Sequence, residues 1–223
     1  MDLFPLWNSL RIGTISAIIV FFVGIAAAYY IAKLPQVIKG ILDVIMTLPL
    51  VLPPTVVGFV LLCVLGPKHT IGKWVYEVLN TKLVMRWWSA VFAVVVVTLP
   101  LMYRAARGAF EGFDETLSQA GKTLGLSNSY IFWKIRMPYC RQGIIAGIIL
   151  SFARAIGEYG ATSMIAGYIP GKTATISTEV YQLWRIGNDD LAIRWVLVNI
   201  AISAVVILAV TLIEQRSHLK GGE

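Results

Sequence analysis

Charge and reactive side chains are scarce in this chain. Among 223 residues there are 12 acidic side chains, 2 cysteines and 2 histidines, and all charged residues together make up 14%. Cys63 and Cys140 fall in different apolar runs, so they are not expected to pair as a disulfide. His69 and His218 lie in separate connections, too dispersed to build a metal cluster or to supply the base of an intramembrane serine hydrolase. A nucleotide-binding loop is missing as well. Gly167-Tyr-Ile-Pro-Gly171-Lys172-Thr173 has three residues between its glycines where a phosphate loop needs four, and no strand precedes it. A Pro-Gly turn is the expectation there. No bound cofactor and no catalytic residues are expected of this chain.

What the chain has in abundance is apolar residues, at 57%. A membrane-spanning helix needs about 20 mainly apolar residues, because the hydrocarbon core is about 30 Å thick and the rise is about 1.5 Å per residue. Runs at about 12–32, 44–65, 87–106, 142–166 and 195–213 qualify or nearly do, the fourth despite carrying Arg154 and Glu158. Lipid offers no water to unpaired backbone groups, and the alternation of barrel strands is absent, so these segments must be helices. The expected fold is an all-α polytopic membrane protein with about five transmembrane helices in one domain, 1–223. Asp2 stands where a signal peptide would be basic, and the first run is longer than a signal core.

Orientation follows from basic residues near the spans. Arg104, Arg107, Lys122, Lys134, Arg136 and Arg141 all fall around the third connection, about 107–141, which is therefore expected in the cytoplasm. Lys33, Lys39, Arg216 and Lys220 then fall inside too. Five spans place the N-terminus outside, the C-terminus in the cytoplasm and a long outer loop at about 167–194. The same bases would attract anionic lipid.

Within the second span, Pro49, Pro53 and Pro54 remove backbone donors and exclude a straight helix. Carbonyls freed at membrane depth must be buried in protein or line a wet cavity. Such breaks border substrate paths in transporters, although a packing kink would read the same way. Thr47 and Thr55 could offer hydroxyls to an oxyanion. In the fourth span, Gly143, Gly147, Ser151 and Ala155 form a small-residue stripe suited to close helix packing. Arg154 and Glu158 fall beside it and are expected to pair as i, i+4 neighbours at the packing seam. An anion contact by Arg154 or a proton relay through Glu158 are the functional alternatives.

The third connection reads as two short helices and a turn. Asp114 or Thr116 can cap the first, and Gly125 suits its left-handed C-terminal position. Ser127 can cap the second, Leu126 and Ile131 have hydrophobic-staple spacing, and Pro138 is expected to end it. The elbow from Lys122 to Tyr130 mixes apolar and polar side chains as a protein contact would. An amphipathic element lying on the bilayer is the alternative.

Gln119-Ala120-Gly121, then Gly125, then Ile135-Arg136-Met137-Pro138 resembles the EAA loop of ABC importer permeases. Gln119 replaces its glutamate, Gly121 its second alanine and Met137 its leucine, with the spacing intact. Leu48-Pro-Leu-Val-Leu-Pro-Pro-Thr-Val-Val-Gly58, Ser151-Phe-Ala-Arg-Ala-Ile-Gly-Glu-Tyr-Gly-Ala161 and Ile169-Pro-Gly-Lys-Thr173 are similar to the molybdate permease branch, with tungstate and sulfate permeases as near relatives.

The resemblance implies a type I importer permease acting as a homodimer. ATP-binding subunits that hold ATP and magnesium would sit beneath it and an extracytoplasmic oxyanion-binding protein above. It assigns ATPase coupling to Gln119, Ala120, Gly121, Lys122, Thr123, Leu124, Gly125, Ser127, Tyr130 and Ile131. The path or gate is expected near Thr47, Pro53, Pro54, Thr55 and Ser151. Binding-protein contacts are expected at Lys172, Arg185, Asp189 and Asp190. The competing expectation is a stand-alone secondary anion transporter or channel, with Arg154 and Glu158 as its ion-coupled site. Five helices are few to enclose a gated path, which independently favours a dimer.

Overall fold

The computed structural model describes residues 2–218, and they form helices and turns without a strand. Lys220, one of the bases used to orient the chain, lies outside the described residues. In order, the helices are α1 (Phe4–Ile31), α2 (Gln36–Val51), α3 (Pro54–Leu65), α4 (Thr70–Leu79), α5 (Trp87–Glu111), α6 (Glu115–Thr123), α7 (Asn128–Ile131), α8 (Met137–Tyr139), α9 (Arg141–Ile156), α10 (Gly160–Ile165), α11 (Ile176–Arg185) and α12 (Asp189–His218). A π-helical turn over Phe132–Arg136 joins α7 to α8. Three helices, α1, α5 and α12, are individually long and apolar enough to cross a membrane. Counting each of two bent pairs as one span gives five.

The first bent pair is α2 and α3, which meet at 113°. A residue preceding proline is driven out of the helical region by the proline Cδ. Leu52 precedes Pro53, and Pro53 precedes Pro54, so two successive residues are extended, with ψ of 143° and 134°. Pro54 then opens α3 at the position where a missing N–H costs nothing. Pro49 stays inside α2.

The fourth expected span, 142–166, is not continuous. It is α9 followed by α10, interrupted at Gly157, Glu158 and Tyr159. The Glu158 carboxylate accepts a hydrogen bond from the Ala161 N–H at 2.8 Å, starting the second helix by capping it. Pro138 does not end its helix either. It sits in the first turn of α8, where proline is tolerated, and the 74° bend falls between the Asn128–Tyr139 segment and α9.

Two boundaries also extend beyond expectation. α1 begins at Phe4, because its polar residues have partners: the Asn8 amide donates to the Ala174 carbonyl at 2.9 Å and Ser9 Oγ accepts from the Ile176 N–H at 2.9 Å. α5 continues to Glu111, where Arg107 and Glu111 pair at 2.9 Å across one turn.

α5 is the central helix, packed against α1, α2, α9 and α10. Close approach uses glycine. A Cβ on Gly24 of α1 would stand 2.7 Å from Met102, and Cβ atoms on Gly143 and Gly147 of α9 would stand 2.8 and 2.7 Å from those of Ala109 and Ala105. Val20, Ala28, Met102, Tyr103, Ala106 and Ile144 fill the seam between these helices.

The bundle has two chemically distinct ends. One gathers the start of α1, residues 167–175 and α11, joined by the bonds of Asn8 and Ser9. The backbone bond from Met85 N–H to Ile165 O brings in the approach to α5. The other end gathers the close of α1, the start of α2, the close of α5 and the elbow α6–α8.

Candidate functional site

The elbow is a built structure. Asp114 caps α6, its carboxylate accepting from the Thr116 N–H at 2.9 Å, so Asp114 and not Thr116 is the cap. Hydrogen bonding to Thr116 holds this carboxyl below its ordinary pKa. At the other end of α6, the Gly125 N–H bonds to Lys122 O at 2.9 Å and the Leu126 N–H to Gly121 O at 3.1 Å. That pairing is a Schellman closure, and it requires the left-handed conformation that Gly125 adopts at φ +76°. Ser127 Oγ then accepts from the Tyr130 N–H at 3.2 Å to cap α7.

Gly121 brings the two arms of the elbow together. A Cβ there would stand 3.1 and 3.2 Å from side-chain carbons of Ile131, which is buried. Gln119, Ala120, Lys122, Thr123, Gly125 and Ser127 are exposed, as are Leu124 at 78% and Tyr130 at 49%. Two large apolar side chains thus project from a rigid turn. The arm behind them is tied into the bundle: the Phe132 ring packs 4.6 Å from Tyr29 on α1 and 6.2 Å from Phe110 on α5. Arg136 pairs with Glu115 and stands over Phe113 at 4.5 Å.

The second constellation is the junction of the α2–α3 break with the α9–α10 break. α3 packs on α10, where a Cβ on Gly160 would stand 3.0 Å from Pro54 Cβ and 3.1 Å from Thr55 N. Pro53 and Thr55 are exposed beside this contact and Pro54 is half-buried. Arg154 pairs with Glu158 at 2.7 Å, but across the end of α9, since Glu158 lies in the break. Glu158 is buried at 3% and Arg154 is half-buried. The other expected path residues, Ser151 and Thr47, use their hydroxyls within the bundle. Ser151 is 1% exposed and donates to Gly147 O at 2.8 Å, facing α5 in the packing seam. Thr47 spends its hydroxyl on Asp43 O at 2.6 Å one turn below.

At the opposite end, Lys172, Arg185, Asp189 and Asp190 are all exposed. Lys172 sits in a turn in which the N–H groups of Lys172 and Thr173 bond to Ile169 O, and the buried Thr173 hydroxyl bridges Ile169 N–H and Gly167 O. With Gly167 and Gly171 at positive φ, this is a side-chain-locked turn, unlike a phosphate loop.

One network was not singled out by sequence. Asp43 of α2 meets both Arg107 and Tyr103 of α5, and Lys39 pairs with Glu111 at 3.6 Å. The spacing of Tyr103, Arg107 and Glu111 along one helix face was the available signal. Asp43, sixty positions earlier, could be placed only by the tertiary fold.

Residues 20–218 match the family described as binding-protein-dependent transport system inner membrane component. The chain belongs to that family. It is 37% identical over 209 residues to the molybdenum transport system permease protein ModB of Escherichia coli K12, covering 92% of this chain and 91% of that one. Its fold matches the MetNI methionine ABC transporter in inward-facing form, with TM-score 0.71 at 15% identity over 95% of this chain and 94% of that one. It also matches a bacterial alginate ABC transporter complex, with TM-score 0.77 at 16% identity over 96% and 78%. The fold is thus that of a type I ABC importer permease, and the family is one of inner-membrane transport components.

Proposed function

We propose that this chain is the permease subunit of an ATP-driven importer for a tetrahedral oxyanion, most directly molybdate. One observation carries the mechanism: a capped, glycine-closed elbow presents Leu124 and Tyr130 outward while Phe132 links it to both α1 and α5. Relatives described as molybdenum transport permeases supply the cargo. The chain itself is non-catalytic in this reading, and ATP with magnesium is held by partner ATP-binding subunits.

The elbow, Gln119 to Ile131, docks on such a subunit in the cytoplasm, with the N-terminus of α1 outside. Closure of the ATPase pair pushes the elbow, and the aromatic contacts pass that displacement to α1 and α5. Two states of the permease dimer are then biased by nucleotide on one side and by the loaded binding protein on the other. Lys172, Arg185, Asp189 and Asp190 form the receiving surface for that protein. The anion passes near the α2–α3 break, where Pro53 and Thr55 are exposed.

The deciding experiment is uptake by proteoliposomes containing the permease with and without its ATPase and binding protein. Nucleotide-dependent molybdate uptake, competed by tungstate and tested against sulfate, is expected. Uptake that persists without ATPase would favour the second reading, a secondary anion transporter, for which the buried Glu158 paired with Arg154 is the supporting observation.

A further inference from the structure

We propose that a groove between α1 and the α7–π segment binds one anionic phospholipid, phosphate at Lys33 and one acyl chain along Phe22, Ile25 and Ala26. The groove is about 540 Å³, within the range of built ligand sites, and its chemistry changes along its length. Its floor is the exposed Phe22 and Ala26 with Ile25 on α1, a helix apolar enough to cross the membrane. At 28 residues α1 is about 42 Å long, so its last turn reaches beyond a hydrocarbon core of about 30 Å to headgroup depth.

At that end the lining turns polar and aromatic. Tyr29, Tyr30 and Trp133 stand there as amphipathic rings, together with Asn128, Ser129 and Lys33. The Lys33 ammonium lies 3.6 Å over the Tyr29 ring and has no carboxylate within 4.0 Å among the described residues. Lys33 is the base in the groove lining, and of the bases nearby Arg136 is matched by Glu115, Arg107 by Asp43 and Lys39 by Glu111. Nor do the side chains of Asn128 and Ser129 hydrogen-bond within the described residues, leaving an amide and a hydroxyl for phosphate oxygens.

The occupant follows from this gradient. A soluble subunit cannot reach a floor made by a helix crossing hydrocarbon, while an acyl chain must lie there. A zwitterionic headgroup would bring its own ammonium to Lys33, whereas an anionic one brings only complementary charge. Such a lipid ties the last turn of α1 to the arm of the elbow. The inference does not depend on which anion the protein carries.

The test is native mass spectrometry of the full chain released from nanodiscs of equal phosphatidylglycerol and phosphatidylcholine. Wild-type protein is expected to retain phosphatidylglycerol over phosphatidylcholine about fivefold, the contribution of one lysine near a lipid surface. Lys33→Gln removes the charge and Ala26→Trp fills the acyl slot, and both are expected to bring retention to parity. Lys82→Gln, at an exposed site outside the groove, keeps the preference. Unfolding temperatures in pure phosphatidylcholine discs separate this effect from misfolding. Parity in the wild type, or preference kept by either groove variant, overturns the proposal. So does a photo-crosslinker at Ala26 that captures a polypeptide, whether a second copy or an ATPase subunit, in place of lipid.

Discussion

Gly58 of α3 and Ala161 of α10 touch backbone to backbone. A Cβ on Gly58 would stand 2.7 Å from Ala161 Cα and 2.9 Å from its carbonyl oxygen, with Met164 Cβ as near on the other side. Neither neighbour is a flexible side-chain end, so the helices themselves would have to part. Gly58→Val is expected to cost about 1 to 3 kcal/mol, as overpacking does, and Gly58→Ala less. Thermal unfolding in detergent would measure both. An unchanged unfolding temperature for the valine variant would refute the close contact of α3 with α10.

The elbow turn offers a cleaner backbone test. A Cβ on Gly125 meets nothing within 4 Å, yet φ is +76°, so any penalty there is conformational and not steric. A β-branched residue is strongly disfavoured at such a position, while asparagine tolerates it. Gly125→Val is expected to leave partner ATP hydrolysis running while uptake falls, and Gly125→Asn to keep the two linked. ATPase and uptake assays on one reconstituted complex decide it: full coupling in the valine variant contradicts the docking role.

Gly121 makes the opposite case. Its Cβ space is occupied by Ile131 at 3.1 Å, and Ile135 lies 3.4 Å away. An alanine at this position crowds Ile131, and shortening that neighbour makes room. Gly121→Ala alone is expected to lower the unfolding temperature. Adding Ile131→Val should recover part of it, with a coupling of about 0.5 kcal/mol or more because the groups are in contact. Strict additivity of the two changes would show that the arms do not share this packing.

The residues of the elbow make its shape legible in the sequence. The Schellman closure at Gly125 and the cap at Ser127 follow from local chemistry, which depends on a few adjacent side chains. So does the disruption at Pro53-Pro54, because proline acts on its immediate predecessor. The interruption between α9 and α10 is hidden, since Gly157 and Glu158 sit in an apolar run with helical spacing, and the cap at Ala161 exists only once the chain turns. Ser151 fits both a path and a packing stripe, and its burial against α5 comes from the tertiary fold. The meeting of Asp43 with Tyr103 and Arg107 joins elements far apart in the chain, and no local pattern carries it.

That network should behave as a partly shielded ion pair. The side chains of Asp43 and Arg107 are 21% and 23% exposed, so solvent screens them incompletely. Removing one partner strands the other charge, whereas removing both leaves an apolar contact between α2 and α5. Arg107→Leu is expected to cost about 1 to 3 kcal/mol, discounted from the figure for full burial. The Asp43→Leu/Arg107→Leu pair should cost less than the sum of its parts. A double-mutant cycle on thermal unfolding measures this, and zero interaction energy would mean the pair does not hold α2 to α5.

Glu158 separates the two transport readings. Its carboxylate does two things: one oxygen caps α10 through the Ala161 N–H, and the other faces Arg154 at 2.7 Å. Glutamine keeps an acceptor for the cap and removes the titrating charge, while alanine removes both. If the pair is a joint in the packing seam, Glu158→Gln retains nucleotide-driven uptake and Glu158→Ala lowers stability, because it also leaves Arg154 without its partner. A proton relay requires the reverse emphasis: glutamine would abolish transport outright, and uptake by wild-type vesicles would follow an imposed pH gradient without nucleotide. Measuring uptake under both driving forces for both variants therefore assigns the residue. Retained, nucleotide-dependent uptake in Glu158→Gln leaves this carboxylate a structural cap at a helix break and leaves the elbow as the place where energy enters.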